Sequence, residues 1–212
     1  MYITKNDDAK IAVLWSTRCA CTSIKNWFYF YGREEIEIEL TVHERQVKIP
    51  SLDIHYFVDY SQAYPGDIPR LLDSGYTVAL VVRNPVTRFV SMLPHPFMDQ
   101  PHLSFRVKNS LQKSAERLLT AMEAAGPFFD HHTCPQSWLG ERYSTENDLE
   151  GVHIIRCEDN VIGKLNEIFP TSVSNGLIYS HNTSSTKIKL SSEMDERVRR
   201  VYSRDMLLFK YE

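Results

Sequence analysis

The sequence predicts a three-layer α/β domain, in which helices cover both faces of a central parallel sheet. The first observation is that short apolar runs alternate with stretches of helical pattern along the 212 residues. The second is that two of these runs, Ile11–Trp15 and Thr77–Val82, are apolar almost throughout, as is typical of strands buried on both faces. No repeat, low-complexity segment or shift in composition divides the chain, which predicts one domain over residues 1–212.

In the first half of the chain, helical stretches follow the strand patterns. The apolar run Ile11–Trp15 predicts the first strand, and Thr22–Tyr31 predicts a helix that begins at two hydroxyl side chains. Glu34–Pro50 is charged and has no clear period, so we expect it to be irregular. β-Branched and aromatic residues favour a strand over Asp53–Tyr60, and Asp67–Ser74 is long enough for a short helix.

The second half of the chain continues the alternation. Pro85 stands where a helix accepts proline in its first turn, and Pro94 ends that helix. Good helix formers precede Gly126-Pro127, and Ser191 or Ser192 caps a long closing helix. The predicted elements are a strand at Thr77–Val82, helices at Pro85–Leu93 and Leu111–Ala125, a strand at Val152–Arg156, and helices at Asp159–Ile168 and Ser191–Phe209.

Charge and hydropathy exclude two classes of partner. The 24 lysines and arginines and 27 acidic residues give a formal net charge of -3, and there is no long basic run. This argues against nucleic acid as the main partner. No stretch approaches the apolar length of a membrane span, and Met1–Asp8 is polar. We therefore expect no signal peptide and no integral membrane segment, and a soluble protein of the cytoplasm.

The four cysteines predict neither a disulfide scaffold nor a metal site. Cys19 and Cys21 lie too close in sequence to bridge easily. Cysteines together with His131 and His132 offer zinc ligand types, but their spacing matches no usual zinc pattern. We therefore expect no metal, and we expect Cys157 to pack at the end of its apolar run.

The loop after the first strand has the composition of an anion site. Arg18 supplies a charge, Thr22 and Ser23 supply hydroxyl groups, and the helix start supplies backbone N–H groups. The loop contains no glycine and no G-x-x-x-x-G-K-[ST] motif, which argues against a standard ATP or GTP site. Cys19–Cys21 instead provides small side chains. Lys25 adds another charge or lies along the helix surface. The alternative is that a hydroxyl here is only an N-cap.

A second strand end carries matching groups. Arg83 ends the strand, and Arg88 and Ser91 share one face of the helix that follows. Arg83 and Ser91 are therefore expected to reach a single phosphate, to which a planar guanidinium donates two hydrogen bonds. The alternative is that Arg83 and Arg88 are surface charges. Together, the two loops predict a nucleotide site with one phosphate group at each helix start.

Four segments resemble the sulfotransferases that use 3′-phosphoadenosine 5′-phosphosulfate (PAPS). Residues 17–25, T-R-C-A-C-T-S-I-K, resemble their 5′-phosphosulfate loop, and most of all the P-K-x-A-C-T-N-W-K of the Golgi carbohydrate sulfotransferases. Residues 82–91, V-R-N-P-V-T-R-F-V-S, resemble the 3′-phosphate motif V-R-[DE]-P-x-x-R-x-x-S. Residues 130–136 resemble an H-x-x-P-Q-like stretch, and residues 180–185 resemble a late H-x-N-x-S loop. The segments follow the family order.

The resemblance implies a P-loop nucleotide-hydrolase-like sulfotransferase fold. It also implies in-line transfer of a sulfuryl group from PAPS to a hydroxyl of a carbohydrate or small-metabolite acceptor, leaving 3′,5′-adenosine bisphosphate, without a metal. Arg18 stands where the family has a lysine, and it keeps the charge that stabilises the leaving phosphate. The implied donor-binding residues are Thr17, Arg18, Cys19, Ala20, Cys21, Thr22, Ser23, Lys25, Arg83, Arg88, Ser91, Asn182 and Ser184.

The acceptor hydroxyl needs a general base, and histidine has the appropriate pKa. His55 is the first candidate, because related heparan 2-O-sulfotransferases carry a histidine in a similar segment; the alternative is a core histidine. His132 and then His131 follow, in a stretch that is alternatively a surface loop. Glu44 and Glu158 are more distant candidates, because other sulfotransferases use a carboxylate.

Two other functions are compatible with these residues. The first is a non-catalytic nucleotide-binding relative, which the arginine at position 18 keeps open. The second is a nucleotide kinase, against which the missing glycine-rich lysine loop argues. The stretches expected to line the acceptor, Glu34–Pro50, His95–Ser110 and Gly126–Asn147, contain no motif that identifies it.

Overall fold

The computed structural model describes residues 1–31, 58–99, 105–169 and 188–211. Within these residues, five strands form one sheet in the spatial order β3-β1-β2-β4-β5. β2, β4 and β5 are parallel, whereas β1 is antiparallel to both β2 and β3. The strands are β1 (Tyr2–Asn6), β2 (Ile11–Trp15), β3 (Ser61–Gln62), β4 (Thr77–Val82) and β5 (His153–Arg156).

The prediction of a parallel sheet is correct for β2, β4 and β5 and wrong for β1, which pairs antiparallel with both of its neighbours. The sequence has no strand pattern at β1, because Thr4 and Lys5 interrupt its apolar residues. The strand exists because it pairs with β2 across a short turn, with Tyr2 opposite Trp15. Most of the predicted strand Asp53–Tyr60 lies outside the described residues, as does Glu34–Pro50.

Seven α-helices lie in the described part of the chain. Five of the six predicted helices agree with the structure to within two residues. The closing helix is the exception, because it breaks at Tyr202, where the backbone has φ -103° and ψ 28°. None of the described helices has both the length and the apolar character needed to cross a membrane. The helices are α1 (Cys21–Phe30), α2 (Asp67–Asp73), α3 (Pro85–Met92), α4 (Leu111–Ala125), α5 (Val161–Ile168), α6 (Ser192–Val201) and α7 (Ser203–Leu208).

Buried side chains lie on both faces of the sheet, which gives the predicted three layers. Alternate strand residues face opposite sides. Val13 and Val81 pack with Trp27 of α1 on one face, and Leu14 and Leu80 pack with α2 on the other. A further cluster joins α3, α4 and α6. Because β2 and β4 are parallel neighbours, the loops that follow them leave the same edge of the sheet side by side.

Candidate functional site

The loop between β2 and α1 is a tight turn without glycine. Arg18 and Ala20 adopt left-handed backbone conformations, with φ of 67° and 54°. The N–H of Cys19 donates to the carbonyl of Ser16 at 3.2 Å. Left-handed residues of this kind are the ones from which anion-binding nests of backbone N–H groups are built. Ala20 precedes α1 and supplies no side-chain cap, so the helix start also presents its N–H groups to this loop.

The loop after β4 lies directly against this first loop. Nη1 of Arg83 donates to the carbonyl of Arg18 at 3.1 Å, and its Nε donates to the hydroxyl of Thr87 at 3.2 Å. The hydroxyl of Ser91 lies 3.5 Å from Nε of Arg18 and donates to the carbonyl of Arg88 at 2.6 Å. The structure therefore brings together groups from the two motifs that the sequence predicts to bind phosphate.

Three guanidinium groups concentrate positive charge at this junction. Burial lowers the pKa of Arg18, and the nearby charges of Arg83 and Arg88 lower it further. Among the described residues, no carboxylate forms an ion pair with any of the three. Like charges held close together without a counter-charge favour a bound anion. The electrostatics thus agree with the backbone geometry of the first loop.

Arg88 is placed among the donor-binding side chains by the sequence, whereas the structure buries it to 1% exposure. Its Nε donates to the carbonyl of Thr17 and its Nη2 to the carbonyl of His132, both at 3.0 Å. Its guanidinium carbon lies 6.0 Å from the centre of the Tyr202 ring. These contacts indicate that Arg88 supports the first loop from below instead of presenting its side chain to a ligand.

We expect Arg88→Met to destabilise the fold by about 3 kcal/mol, because it removes a buried guanidinium and leaves two partly buried carbonyls without their donors. For a chain of this size, the melting temperature should fall by about 8 °C. Thermal unfolding followed by circular dichroism measures this. The matched control is Arg117→Met, at an exposed position on α4, which should change stability by less than about 0.5 kcal/mol. Equal effects of the two substitutions would contradict the structural role of Arg88.

The stretch 130–136 holds both loops in place. The side-chain oxygen Oε1 of Gln136 accepts hydrogen bonds from the N–H of Arg83 and the S–H of Cys19. The hydroxyl of Thr17 donates to the carbonyl of His131 at 2.8 Å. Cys19 is completely buried, so only its backbone can face a ligand. The sequence match at residues 130–136 was the only signal that pointed to Gln136.

His132 forms a hydrogen-bonded pair with Asp130. Nδ1 of His132 is bonded to Oδ1 of Asp130, and the backbone N–H of His132 donates to the same oxygen at 2.8 Å. Burial, with the His131 ring beside it, lowers the pKa of His132 to about 4. The imidazole is therefore neutral at pH 7. With the proton on Nδ1, the lone pair is on Nε2, so this nitrogen is the one that can accept a proton.

His95 belongs to the same cluster, although no sequence motif pointed to it. The centres of the His95 and His131 rings each lie 4.0 Å from the centre of the His132 ring. Burial and the charge of Arg18 lower the pKa of His95. The charge of the first loop therefore acts on this histidine cluster through Arg18. His131 is more accessible than His132, with 52% of its side chain exposed against 12%.

Asp130, His131 and His132 also offer possible metal-ligand atoms within 4.8 Å of one another. The hydrogen bond between Asp130 and His132 already uses one carboxylate oxygen and Nδ1. The contacts present in the structure are those of an oriented imidazole.

Lys25 lies beneath an aromatic side chain beside the first loop. Its side chain is buried, and Nζ lies 3.5 Å from the centre of the Tyr60 ring. Burial lowers the pKa of Lys25. Tyr60 also contacts Tyr2 and Trp15, with ring centres 5.7 and 6.1 Å apart. The alternative prediction, that Lys25 lies along the helix surface, is wrong, because its side chain is buried.

Several predicted residues fall outside the described part of the chain. These are His55 and Glu44 among the candidate bases, and Asn182 and Ser184 among the donor-binding residues. Glu158 is described, and its carboxylate accepts from the N–H of Asn84 at 2.9 Å at the start of α3. That contact gives this carboxylate a structural partner.

A cleft of about 760 Å³ opens beside the second loop. This volume suits a ligand of nucleotide size. Apolar side chains form part of its wall, and charged side chains from α6 form its rim. Its lining includes Arg83, Val86, Val90, Ser91, Ile188, Leu190, Asp195 and Arg199.

Comparison with known proteins assigns this architecture to a family. The family model described as "Sulfotransferase family" matches residues 2–212. Comparison with curated proteins and with solved structures gives no significant match. The family match does not distinguish the Golgi carbohydrate enzymes from other members. Since the match extends over nearly the whole chain and both predicted phosphate loops lie side by side, the chain belongs to the sulfotransferase family.

Proposed function

We propose that this protein transfers the sulfuryl group of PAPS to a hydroxyl of a carbohydrate or small-metabolite acceptor. Family membership indicates a transferase and sulfuryl transfer; the donor and the acceptor are the proposal. The observation that carries it is the contact between the two loops, in which Arg83 and Ser91 lie 3.1 and 3.5 Å from atoms of Arg18. A nucleotide with phosphate groups at its 3′ and 5′ positions has the charge pattern for such a junction.

The donor would contact each loop through different groups. Backbone N–H groups from Ala20 to Ser23, with the hydroxyls of Thr22 and Ser23, would hold the 5′-phosphosulfate, while the Cys19 N–H closes the turn onto Ser16. Arg83 and Ser91 would hold the 3′-phosphate, and the cleft beside them has room for further parts of the nucleotide. For Asn182 and Ser184 the support is the resemblance of residues 180–185 to the late family loop.

Transfer would proceed by in-line displacement at sulfur. The acceptor oxygen attacks, the bond between sulfur and the bridging oxygen breaks, and the nucleotide leaves as 3′,5′-adenosine bisphosphate. Arg18 would stabilise the charge that develops on the leaving phosphate. Nε2 of His132 would accept the proton of the acceptor hydroxyl, with Asp130 stabilising the imidazolium. His55 is the alternative base, on the strength of the resemblance alone.

The donor site is tested by calorimetric binding of 3′,5′-adenosine bisphosphate, 5′-AMP, ADP and ATP. We expect the wild type to prefer the bisphosphate. Arg83→Ala should weaken bisphosphate binding about 100-fold, because it removes a charge-assisted contact to the 3′-phosphate. Binding of 5′-AMP should change less than about threefold, since its phosphate contacts the other loop. Arg142→Ala, at an exposed arginine paired with Asp148, is the control and should leave all four affinities unchanged.

A different order of affinities would contradict this proposal. A wild type that prefers ATP would favour the nucleotide kinase. A non-catalytic relative is the second candidate, because Arg18 replaces the family lysine at the first loop. In that case the bisphosphate would bind tightly, but radiolabelled PAPS would transfer no label to any carbohydrate or small hydroxyl acceptor.

A further inference from the structure

We infer that Gln136 is a positioning residue that fixes the spacing of the two phosphate loops and so sets selectivity for a nucleotide carrying both phosphates. This inference rests on the proposed function. Gln136 is 1% exposed and therefore cannot contact the donor through its side chain. Its effect on binding would act through the loops that it joins.

The Gln136 side chain contacts both loops with one amide group. Its Oε1 accepts from the backbone N–H of Arg83 at 2.7 Å, and its Nε2 donates to the carbonyl of Arg83 at 2.7 Å. The same Oε1 accepts from the thiol of Cys19 at 3.0 Å. The amide thus pairs with the residue after β4 as a neighbouring strand would, and it extends that pairing to the first loop.

A buried carboxylate anchors Gln136 from below. Asp205 of α7 is completely buried. It accepts from the N–H of Gln136 at 2.7 Å, from the N–H of Ser137 at 2.9 Å and from the Ser137 hydroxyl at 2.5 Å. Fully satisfied polar networks of this kind rigidify the groups they join. The position of Gln136, and with it the distance between the loops, is therefore set by the C-terminal helix.

Fixed spacing matters because the phosphates of the donor are joined by a rigid nucleoside. Each loop can hold one anion by its own N–H, hydroxyl and guanidinium groups. The added affinity for a ligand with two anions depends on both loops being in place at once. Loss of Gln136 should reduce that added affinity, while ligands with a single phosphate bind nearly as before.

The experiment compares binding of 3′,5′-adenosine bisphosphate, 3′-AMP and 5′-AMP to the wild type and to Gln136→Met. Methionine keeps the length of the side chain and removes its three hydrogen bonds. We expect the preference for the bisphosphate over either monophosphate to fall about tenfold. Gln136→Glu keeps the acceptor for the Arg83 N–H but cannot donate to its carbonyl. It should also reduce the preference, and it decides the question if the methionine variant does not fold.

The matched control is Ser144→Ala, which removes a buried hydrogen bond to the carbonyl of Ser137 in the same segment without touching either loop. It should lower the melting temperature and leave the preference unchanged, so loss of stability alone cannot imitate the expected result. A wild-type preference that persists in both Gln136 variants would overturn this inference alone. A wild type without any preference for the bisphosphate would overturn the proposed function as well.

Discussion

Replacing Arg18 with alanine is expected to lower kcat for sulfuryl transfer from PAPS about a thousandfold, the effect of losing one preorganised charge at a developing anion. Arg18 lies in the turn of the first loop, where its guanidinium contacts the hydroxyl of Ser91 at 3.5 Å. No described carboxylate neutralises it. Its charge is therefore available to the leaving phosphate. The KM for PAPS should rise much less, because backbone N–H groups and Arg83 still hold the ground state.

The control for this prediction is Arg18→Lys, which restores the family residue and a positive charge at the same place. We expect it to keep kcat within about tenfold of the wild type. Single-turnover transfer from radiolabelled PAPS measures the chemical step directly. An alanine variant that reacts as fast as the lysine variant would show that the charge at position 18 does not act in the transition state.

His132→Ala should lower kcat by a similar factor, about a thousandfold, because general-base catalysis by a positioned imidazole contributes about 10² to 10⁴. The pH profile identifies the group. The pKa of His132 is lowered to about 4, so the imidazole stays neutral, and able to accept a proton, at every pH above that value. In the wild type, kcat/KM should therefore be constant from neutral pH to about pH 5 and should fall below it.

Two histidine variants serve as controls for the base. His153 lies at an exposed position on β5, so His153→Ala should leave kcat unchanged. His131→Ala removes a ring that contacts His132 but is not bonded to Oδ1 of Asp130, so it should change kcat by less than about tenfold. If His132→Ala is as active as His153→Ala, the base lies elsewhere, and His55→Ala becomes the next variant to measure.

Local signals account for the elements that the sequence predicts to the residue. β2 and β4 are short apolar runs. α4 begins after Ser110, whose side chain accepts from the N–H of Lys113, and it ends before Gly126, where φ is 80°. β1 has no such signal, since its identity depends on pairing with β2. At the break in the closing helix, the Tyr202 hydroxyl donates to the carbonyl of Thr133 at 2.7 Å, a contact over 69 residues that no local pattern reveals.

The same distinction applies to the candidate site. The proximity of Arg18, Arg83 and Ser91 was predictable, because each stands within a few residues of a strand end that the apolar pattern reveals. The contacts of Gln136 with Asp205 were not, because they join groups 69 residues apart in sequence. Arg88 shares a helix face with Ser91, and only packing shows that it points inward.

The absence of glycine from the first loop makes two opposing contributions to the free energy of folding. A left-handed conformation costs an L-residue such as Arg18 or Ala20 about 1–2 kcal/mol. Glycine would avoid that cost, but it loses about 0.5–1 kcal/mol through the greater freedom of the unfolded chain. The net penalty of doing without glycine is therefore small. In return, the turn bears a side chain at the position where a glycine loop has none. Arg18 supplies both the left-handed backbone of the turn and its positive charge. Arg18→Gly would therefore relieve the backbone strain only by removing that charge.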